Sequence, residues 1–456
     1  MHSLSVVVLA AGKGTRMKSE LVKILHPVAG TPMLAFVLDL ARSLQPERLV
    51  VVVGYQRDLV RQQFSAADVL FVDQEEQLGT GHAVSVTGQA LKGFKETVLI
   101  LCADVPLLTE KTVREFIKSH EESGAALSVL TTVLENPHGY GRVIRGEDGQ
   151  LLSIVEDRDL TPEEEGLREI NTGIYCVNAG FLFSALSSLT DQNAQGEYYL
   201  TDIVAGAGSR GEKTGAYIAK DPLEVMGINT RMDLANANQY LRQKIAERHM
   251  LGGVTLIDPR TTYIDCQVQI GKDTVIYPNC YLLGKTSLGE GCLVEPGCKV
   301  TDTRVGNFVT LRASSVITES VIEDRVHVGP FAHLRPQSVL QEGSKIGNFV
   351  EVKKSLIGKG TKANHLSYIG DAILGEKVNI GAGTITCNYD GHKKHPTIIE
   401  DGVFVGSNTE LVAPVKIGRN AIIGAGSTIT KEVPPETLAV SRAKQMHYKK
   451  RTPRKD

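Results

Sequence analysis

The sequence predicts two domains of different fold class: an α/β domain followed by a left-handed parallel β-helix. The first observation is a six-residue repeat between about residues 264 and 433, in which an aliphatic residue precedes glycine, as in Ile270-Gly271. The second is that residues 1–229 lack this repeat and alternate short apolar runs with helix-like segments. The third is length, because 456 residues suffice for two cores.

The N-terminal domain is expected to contain parallel strands that are buried on both faces, which makes it a Rossmann-like α/β domain in outline. Its apolar runs are Leu4 to Leu9, Leu49 to Val53, Val69 to Val72, Val98 to Cys102 and Ala126 to Val133. No basic residue precedes the first run, so we expect a strand and no signal peptide. Ligands of such sheets bind at the carboxyl ends of strands, which makes the loop after Leu9 and the turn at Asp104 candidate sites.

A helix is expected to connect the two domains at residues 230–252. Thr230 and Asp233 form a variant of the capping box, and Gly252-Gly253 is a stop signal. In the following domain, residues 253–456, each hexad forms one face of a triangular coil, which gives roughly nine or ten coils. The polar insertion from Cys387 to His395 interrupts the hexads and is expected to project outside the coil.

The composition excludes several classes of protein. A net charge of −2 with 22% charged residues is unlike that of nucleic-acid-binding proteins, and no apolar run is long enough to span a membrane. Seven cysteines without a CxxC pair argue against a disulfide framework or a zinc site. Cys280, Cys292 and Cys298 share a hexad slot with Thr274 and are expected to fill the coil interior. We therefore expect a cytoplasmic protein with no nucleic-acid or membrane partner.

The loop after the first strand has the properties of a phosphate-binding loop. Gly12 and Gly14 let backbone N–H groups approach an anion, while Lys13 and Arg16 supply positive charge. The loop is not a P-loop, because Gly14 stands where Ser or Thr is required, and Met17 replaces the third glycine of the dinucleotide-binding fingerprint. A structural turn with solvated charges is the alternative interpretation.

Residues that a plain hexad does not need gather in the later coils of the β-helix. They are Arg335, Glu351, Lys353, His365, Tyr368, Asn379, Asn388, Tyr389 and Lys394. A lone histidine is more often structural than catalytic. In this company His365 is a candidate general base, because acyl transfer to an amine needs a group that removes the amine proton and imidazole titrates near neutral pH.

Several motifs resemble those of sugar-1-phosphate nucleotidyltransferases. The run from Leu9 to Met17 with Lys23 is the first, and the others are Gln74 to Ala83, Ala103 to Leu107, Gly139 to Arg142, Glu156, Asn171 to Gly173 and Asn229. With the hexapeptide repeats they resemble, nearly end to end, the bifunctional N-acetylglucosamine-1-phosphate uridyltransferase and glucosamine-1-phosphate acetyltransferase family. The resemblance implies acetylation of glucosamine 1-phosphate by acetyl-CoA, then uridylyl transfer from UTP with release of pyrophosphate. The product would be UDP-N-acetylglucosamine, a precursor of bacterial cell-wall polymers.

For the uridyltransferase, the resemblance implies that Asp104 and Asn229 hold Mg²⁺ and that Arg16 and Lys23 stabilise the UTP phosphates. It implies uridine contacts for Leu9, Ala10, Ala11, Gly12, Gln74, Gly79 and Thr80, and N-acetylglucosamine contacts for Gly141, Glu156 and Asn171.

Two positions depart from the family pattern. Val22 stands where proline is common, and Ala103 where glycine is common. We expect a less rigid approach to Lys23 and a crowded backbone contact at Ala103, and therefore altered affinity with unaltered chemistry.

For the acetyltransferase, the resemblance makes His365 the general base, with Glu351 and Asn388 as orienting partners. It implies glucosamine 1-phosphate contacts for Arg335, Lys353, Tyr368, Asn379 and Lys394, and acetyl-CoA contacts for Ala382, Asn388, Tyr389, Ser407, Ala425 and Arg442. Ser407 is a candidate donor to the tetrahedral oxyanion. The family builds this site between neighbouring subunits, so a homotrimer formed through the β-helix is implied.

Two other functions remain open at this point. The protein could be a nucleotidyltransferase alone, with the β-helix as a structural or regulatory module, but such a module needs neither Lys353 nor His365. It could also be a binding or assembly subunit without activity. The presence of all four motif residues argues against that interpretation: Arg16, Lys23, Asp104 and Asn229.

Overall fold

The computed structural model describes residues 3–147 and 149–450. The chain forms two compact units, Met1–Leu241 and Arg242–Asp456, whose boundary falls inside a helix. The division into residues 1–229, 230–252 and 253–456 remains a proposal, and its first two and last six residues lie outside the described residues. No helix in the described part of the chain is long and apolar enough to cross a membrane.

The first unit is built around one twisted sheet with helices on both faces. Its strands are β1 Leu4–Ala10, β2 Pro27–Val28, β3 Thr31–Pro32, β4 Arg48–Val53, β5 Val69–Asp73, β6 Thr97–Cys102, β7 Leu127–Val133, β8 Arg142–Arg145, β9 Leu151–Val155, β10 Glu169–Asn178 and β11 Thr214–Ile218. Its helices are α1 Met33–Ser43, α2 Arg57–Phe64, α3 Thr80–Ser85, α4 Glu110–Ser123, α5 Ala179–Leu186 and α6 Asp202–Ser209. Helix α7 follows at Arg231–Leu251.

The five predicted strands are confirmed, but the sheet is mixed. Its order is β11-β7-β10-β6-β1-β4-β5, with β8 and β9 attached to β10. Strands β1, β4, β5 and β6 are parallel, whereas β10 is antiparallel to both neighbours. The expectation of parallel strands is therefore incomplete, because β10 returns from the antiparallel β8–β9 pair and enters the sheet in the opposite direction.

Two apolar layers hold this sheet between its helices. One layer packs α1, α2 and α4 against the sheet, and the other packs α3, α5 and α6 against the opposite face. Both faces of β1 are therefore buried, with Val6 and Val8 in the first layer and Val7 in the second. Burial on both faces explains the uninterrupted apolar run of this strand.

The predicted capping box is confirmed at the start of α7. The Asp233 amide donates to Thr230 Oγ1 over 3.1 Å, and the Thr230 amide donates to Asp233 Oδ2 over 2.8 Å. The helix ends as expected at the glycine pair, where the Gly252 amide donates to Arg248 O and Gly253 takes a φ of 91°.

The second unit is a β-helix with three faces of parallel strands. The first face contains Thr255–Leu256, Val275–Ile276, Leu293–Val294, Thr310–Leu311, His327–Val328, Lys345–Asn348, Lys362–His365, Asn379–Ile380, Phe404–Val405, Ile422–Ile423 and Leu438–Ala439. The second face contains Tyr263–Ile264, Tyr281–Leu283, Lys299–Thr301, Val316–Thr318, His333–Leu334, Glu351–Lys353, Tyr368–Gly370, Ile385–Cys387, Glu410–Val412 and Thr428–Ile429. The third face contains Gln269–Ile270, Ser287–Leu288, Arg304–Val305, Val321–Ile322, Val339–Leu340, Leu356–Ile357, Ala372–Leu374, Thr397–Ile399 and Val415–Ile417.

Small residues fill the interior of the β-helix, as the hexad slot predicts. Cys280, Cys292, Cys298 and Thr274 are all buried. Their side chains donate to carbonyl groups of the next coil: Cys280 Sγ lies 3.2 Å from Glu295 O, and Thr274 Oγ1 lies 2.9 Å from Gly289 O. These groups therefore link successive coils.

Candidate active sites

The first candidate site is a cleft of about 390 Å³ at the carboxyl ends of β1 and β6. These two strands are parallel neighbours, with Leu9 opposite Cys102, so the loops that follow them lie side by side. The cleft is lined by the predicted residues Leu9, Ala10, Ala11, Gly12, Lys13, Lys23, Gln74, Gly79, Thr80 and Asp104. It is also lined by Ile24, Gln77, Ala83, Cys102 and Glu197, which the sequence did not assign to this role.

Four predicted polar side chains meet at one edge of this cleft. The Lys23 ammonium donates to Asp104 Oδ2 and, over 3.1 Å, to Asn229 Oδ1. The Arg16 guanidinium donates to the same amide oxygen over 2.9 Å. Lys23 and Asp104 are largely withdrawn from solvent, with side-chain exposures of 13% and 21%. The Asp104 carboxylate and the Asn229 amide oxygen therefore converge on the Lys23 ammonium, and the Arg16 guanidinium lies beside them.

The start of α7 places Asn229. The Asn229 amide donates to Asp233 Oδ2 over 3.0 Å, and its side chain donates to Gly227 O. Gly227 also keeps space open, since a Cβ there would stand 3.4 Å from Asn229 Nδ2 and 4.0 Å from Asp104 Oδ2. Asn229 is thus held by a helix cap and stays adjacent to Asp104.

A second group contains the three residues predicted to contact N-acetylglucosamine. The Asn171 amide donates to Gly141 O over 2.9 Å, and a Cβ at Gly141 would stand 3.4 Å from Glu156 Oε2. Glu156 accepts a hydrogen bond from Thr201 Oγ1 over 3.1 Å. Burial raises the pKa of Glu156, and the hydrogen bond from Thr201 partly offsets that rise.

The two departures from the family pattern have structural consequences. Val22 has a φ of −56°, a value that proline also adopts, and its amide donates to Gln56 Oε1 over 3.0 Å. Gln56 also donates to Glu20 O over 2.8 Å, so one side chain holds the loop that leads to Lys23. The expected loss of rigidity at Val22 is therefore offset. Ala103 is fully buried in the apolar layer of α1 and α4, so its methyl group does not line the cleft.

Cys102 is a further residue at the cleft. Its thiol donates to Gly173 O over 3.3 Å. Burial, reinforced by Asp104, raises the pKa of the Cys102 thiol to about 12. The group therefore stays protonated and does not act as a nucleophile.

The second candidate site lies in the β-helix around His365. The Nδ1 atom of His365 lies 2.8 Å from Asn348 Oδ1, on the preceding coil of the same face. An amide oxygen is only an acceptor, so Nδ1 carries the proton and Nε2 is left as the basic nitrogen. His365 is exposed, which leaves that nitrogen open to a substrate.

A buried carboxylate organises the side chains next to His365 on the second face. Asp371 Oδ2 accepts hydrogen bonds from Lys353 Nζ over 3.2 Å and from Asn388 Nδ2 over 2.5 Å. Asn388 Nδ2 also donates to the Tyr368 hydroxyl over 3.4 Å. A Cβ at Gly370 would collide with that hydroxyl, so glycine is required there. Three predicted residues are therefore fixed by Asp371, which sequence analysis did not identify.

Three predicted cations flank this carboxylate. Contact with Lys353 lowers the pKa of Lys394, whereas contact with Lys394 and with Asp371 raises the pKa of Lys353. The positive charges of Lys353 and Lys394 disfavour each other, and a bound dianion would stabilise the protonated form of both side chains. Arg335 donates to Glu351 Oε1 over 2.9 Å.

The structure does not pair His365 with the orienting partners that the resemblance implied. Glu351 pairs with Arg335, and Asn388 pairs with Asp371 and Tyr368. The physical reason is the corner at Phe349, whose φ of 55° turns the chain so that Asn348 ends a strand of the first face and Glu351 begins one of the second.

Four of the six predicted acetyl-CoA residues, Ala382, Ser407, Ala425 and Arg442, form a column along one corner of the β-helix, whereas Asn388 and Tyr389 belong to the insertion. His365, Ala382, Ser407 and Ala425 each directly precede a corner residue with positive φ on successive coils. Arg442 continues the column, and its guanidinium donates to Ala425 O over 2.7 Å. The column runs from His365 to the Arg442 guanidinium. This arrangement suits an elongated ligand with a phosphate at its far end. Asn379 lies on the first face in register with Lys362.

The predicted insertion is a small hairpin with Tyr389 paired to Lys394. Asp390 Oδ1 accepts from the backbone amides of His392 and Lys393, and Asp390 Oδ2 lies 2.6 Å from His395 Nε2. These contacts hold the pKa of Asp390 well below its usual range, with the Lys393 amide as the largest contribution. The hairpin therefore presents Tyr389 and Lys394 in a fixed turn.

Comparison with known proteins agrees with the two predicted fold classes. Residues 6–168 match the MobA-like NTP transferase domain, and residues 267–302 and 396–431 match the bacterial transferase hexapeptide repeats. The bifunctional GlmU proteins of Geobacter metallireducens and Pelobacter propionicus are each 52% identical to this chain, of which 98% is aligned in both cases, with 98% and 97% of the relatives aligned. That of Heliobacterium modesticaldum is 49% identical over 97% of this chain and 96% of its own length.

The chain belongs to the GlmU family. Its two units therefore carry the two activities of a bifunctional GlmU protein, a nucleotidyltransferase in the first unit and a hexapeptide-type acyltransferase in the second. The cleft at the carboxyl ends of β1 and β6 lies in the unit that matches the NTP transferase domain, and His365 lies in the unit that matches the hexapeptide repeats. Membership of this family implies that UTP and acetyl-CoA are the group donors in the two reactions.

Proposed function

We propose that the second unit acetylates glucosamine 1-phosphate and that the first then transfers uridylyl from UTP to the N-acetylated product. The arrangement that supports uridylyl transfer best is the Lys23 ammonium, shared between the Asp104 carboxylate and the Asn229 amide at the mouth of the glycine loop. In this reaction a sugar phosphate oxygen attacks the α-phosphorus of UTP and pyrophosphate leaves. Cations beside the phosphates stabilise the charge that develops.

A divalent cation fits the same place. Asp104 and Asn229 offer two hard oxygen donors that already converge on one cation, and Gly227 leaves space beside them. We assign these two residues to Mg²⁺, which when bound neutralises phosphate charge. Lys23 and Arg16 would then bind phosphate oxygens directly. The described residues contain no group of three or more His, Cys, Asp and Glu side chains suited to a metal, so phosphate oxygens and water would complete the coordination.

For acetyl transfer, His365 acts as general base. Its Nδ1–H is held by Asn348, so Nε2 takes the proton as the substrate amine attacks the thioester carbon. The carbon–sulfur bond then breaks, and the CoA thiolate leaves and is protonated. Arg335, Lys353 and Lys394 bind the sugar phosphate, and Tyr368 and Asn379 bind hydroxyl groups. Acetyl-CoA is bound by the column of Ala382, Ser407, Ala425 and Arg442 together with Asn388 and Tyr389.

Self-association through the β-helix as a homotrimer is part of this proposal. Phe331, Phe349 and Leu366 occupy one corner on three successive coils, and the two phenyl rings are stacked with centroids 5.4 Å apart. These side chains are 53%, 56% and 59% exposed, which is unusual for a contiguous apolar stripe unless a partner covers it. Leu366 follows His365 directly, so a neighbouring subunit on this corner would border the acetyl site.

A cytoplasmic location and a role in supplying cell-wall precursors complete the proposal. All seven cysteines are free thiols, which suits a reducing compartment.

The decisive experiment separates the two activities in purified protein. Thiol release from acetyl-CoA is followed with glucosamine 1-phosphate, and pyrophosphate release is followed with UTP, Mg²⁺ and N-acetylglucosamine 1-phosphate. His365→Ala should abolish the first and preserve the second, and Asp104→Ala should do the reverse. Loss of both activities in either folded variant would contradict the assignment of one reaction to each unit.

A further inference from the structure

A cleft of about 270 Å³ lies on the first face of the β-helix, on the coils that precede His365. It is lined by Arg312, His327, Gly329, Pro330, Lys345, Ile346, Gly347, Asn348, Asn364 and His365. The acetyl-CoA column lies on the coils after His365, and the cations Arg335 and Lys353 belong to the second face. The proposed function therefore leaves this cleft without a ligand.

The cleft concentrates positive charge. His327 and Lys345 are direct neighbours in the strand register, with Arg312 beside them. Within residues 3–147 and 149–450, no acidic side chain lines the cleft, and neither Arg312 nor Lys345 has an ion-pair partner. Burial, Lys345 and Arg312 all lower the pKa of His327. Arg312 and Lys345 thus place two positive charges around a histidine that favours its neutral form, and an anion between the two cations would be stabilised.

The shape of the cleft suits a small ligand. Glycine forms part of its floor, and a Cβ at Gly347 would collide with the Asn364 carbonyl oxygen. The Asn348 side chain directs its oxygen to His365, which leaves its NH₂ group as a donor. A guanidinium, an ammonium and amide groups around a concave floor are the donor set that binds a phosphate group.

We propose that this cleft is a second anion site, which binds a phosphate group beside His365. A phosphate held there would occupy space next to the imidazole and slow acetyl transfer. Its source would be inorganic phosphate or a second molecule of a sugar 1-phosphate, both of which present the same dianion. The effect on rate rests on the proposed acetyl transfer, whereas the binding itself does not.

Binding is tested first in the full-length protein with ¹³C-labelled histidine. The ring resonance of His327, assigned by its loss in His327→Gln, should shift on addition of inorganic phosphate. In the double variant R312Q/K345Q the apparent affinity should fall by about fivefold or more, since two charge-assisted hydrogen bonds are lost. The matched control is K285Q/K299Q, which removes two exposed lysines of the same domain from earlier coils, outside the lining of the cleft, and should behave as wild type.

The rate of acetyl transfer distinguishes inorganic phosphate from a sugar 1-phosphate as the source of the bound phosphate group. Added inorganic phosphate should inhibit thiol release from acetyl-CoA in wild type and in K285Q/K299Q, and inhibit R312Q/K345Q about fivefold more weakly. Inhibition by excess glucosamine 1-phosphate that weakens in the same variant would identify the sugar phosphate as a second source. If wild type shows no acetyl transfer, the proposed function fails while the resonance shift still tests the site.

Three results would overturn the proposal. The first is a His327 resonance that does not respond to phosphate. The second is a double variant whose KM for glucosamine 1-phosphate rises without phosphate present, because the cleft would then be the substrate site itself. The third is a double variant that loses its oligomeric state in light scattering, because the charges would then pair with another subunit.

Discussion

The His365 imidazole is oriented by Asn348, whose Oδ1 lies 2.8 Å from Nδ1 on the adjacent coil. The two residues are 17 positions apart, one turn of the β-helix, and occupy equivalent ends of neighbouring strands. An acceptor at this position fixes both the tautomer and the ring plane, which directs Nε2 toward solvent. Asn348 thus acts through His365 as a positioning residue.

Replacing Asn348 by alanine should lower kcat for acetyl transfer by about fivefold to tenfold, since losing one hydrogen bond costs about 1 kcal/mol. KM for both substrates should change little, because the imidazole is not a binding group in this proposal. Asn348→Asp retains the acceptor and should restore most of the rate. Steady-state kinetics of the three proteins provide the test, with pyrophosphate release by the first unit as the internal control. An alanine variant with wild-type kcat would remove Asn348 from the mechanism.

Gln56 supports the uridyltransferase loop in place of a rigid residue at Val22. Its side chain accepts from the Val22 amide and donates to Glu20 O, and Gln56 itself has a φ of 53°. Gln56→Leu should raise KM for UTP by about threefold to tenfold, because two hydrogen bonds worth about 1 kcal/mol each would be lost next to Lys23. Acetyl transfer should be unaffected.

The support that Gln56 gives to the loop at Val22 also predicts that a second substitution can restore affinity for UTP. Val22 has a φ that proline adopts, so Val22→Pro in the Gln56→Leu background should stiffen the loop and recover part of the lost affinity for UTP. The comparison of kcat/KM for UTP among the single and double variants measures the effect. No difference between Gln56→Leu and wild type would mean that the loop needs no such support.

The hairpin that carries Tyr389 and Lys394 should lose stability at low pH, where Asp390 becomes protonated. Its pKa is lowered in the folded state, so its contribution to hairpin stability is present above the unfolded pKa of about 4 and is lost as pH falls through the lower folded value. At neutral pH, Asp390→Ala should raise KM for glucosamine 1-phosphate severalfold. Asp390→Asn keeps an acceptor for the two amides and should be milder. Equal KM values for the two variants would show that the turn does not depend on this oxygen.

Sequence periodicity was sufficient to predict the β-helix, because an inward aliphatic residue every six positions leaves few other folds. The glycine loop and Asp104 were also predictable, since parallel strands bring their carboxyl ends together. The partner of His365 was not predicted. Asn348 and Glu351 are both about one coil away in sequence, and only the left-handed corner at Phe349 decides which of them shares a face with the histidine.

Gln56 and Asp371 escaped sequence analysis for a different reason. The Gln56 side chain meets Val22 across 34 residues of nonrepetitive chain, so no period relates them. Asp371 lies at a corner with a φ of 50°, where an aspartate is ordinarily read as a turn residue. Its role appears only when Lys353 and Asn388 are seen to share its Oδ2 atom.

Tyr175 provides a stability prediction in the first unit. Its side chain is fully buried, and its hydroxyl makes no hydrogen bond of normal geometry among the residues that the structure describes, although the Asn171 side chain lies close to it. Burial and the nearby Glu156 raise the pKa of Tyr175 well above its ordinary value, so the group stays neutral. A buried hydroxyl without a partner costs about 1 kcal/mol or more. Tyr175→Phe should therefore stabilise the first unit by about that amount.

Tyr199 is the matched control for this prediction, because it is also buried but its hydroxyl accepts from Gln195 Nε2 over 2.9 Å and donates to Asp159 Oδ2 over 3.3 Å. Tyr199→Phe should lower stability, the opposite sign. Thermal unfolding followed by helical circular dichroism reports on the first unit, which holds most of the helices. If both variants lost stability equally, the Tyr175 hydroxyl would have to form a hydrogen bond in the folded protein, which would contradict the prediction.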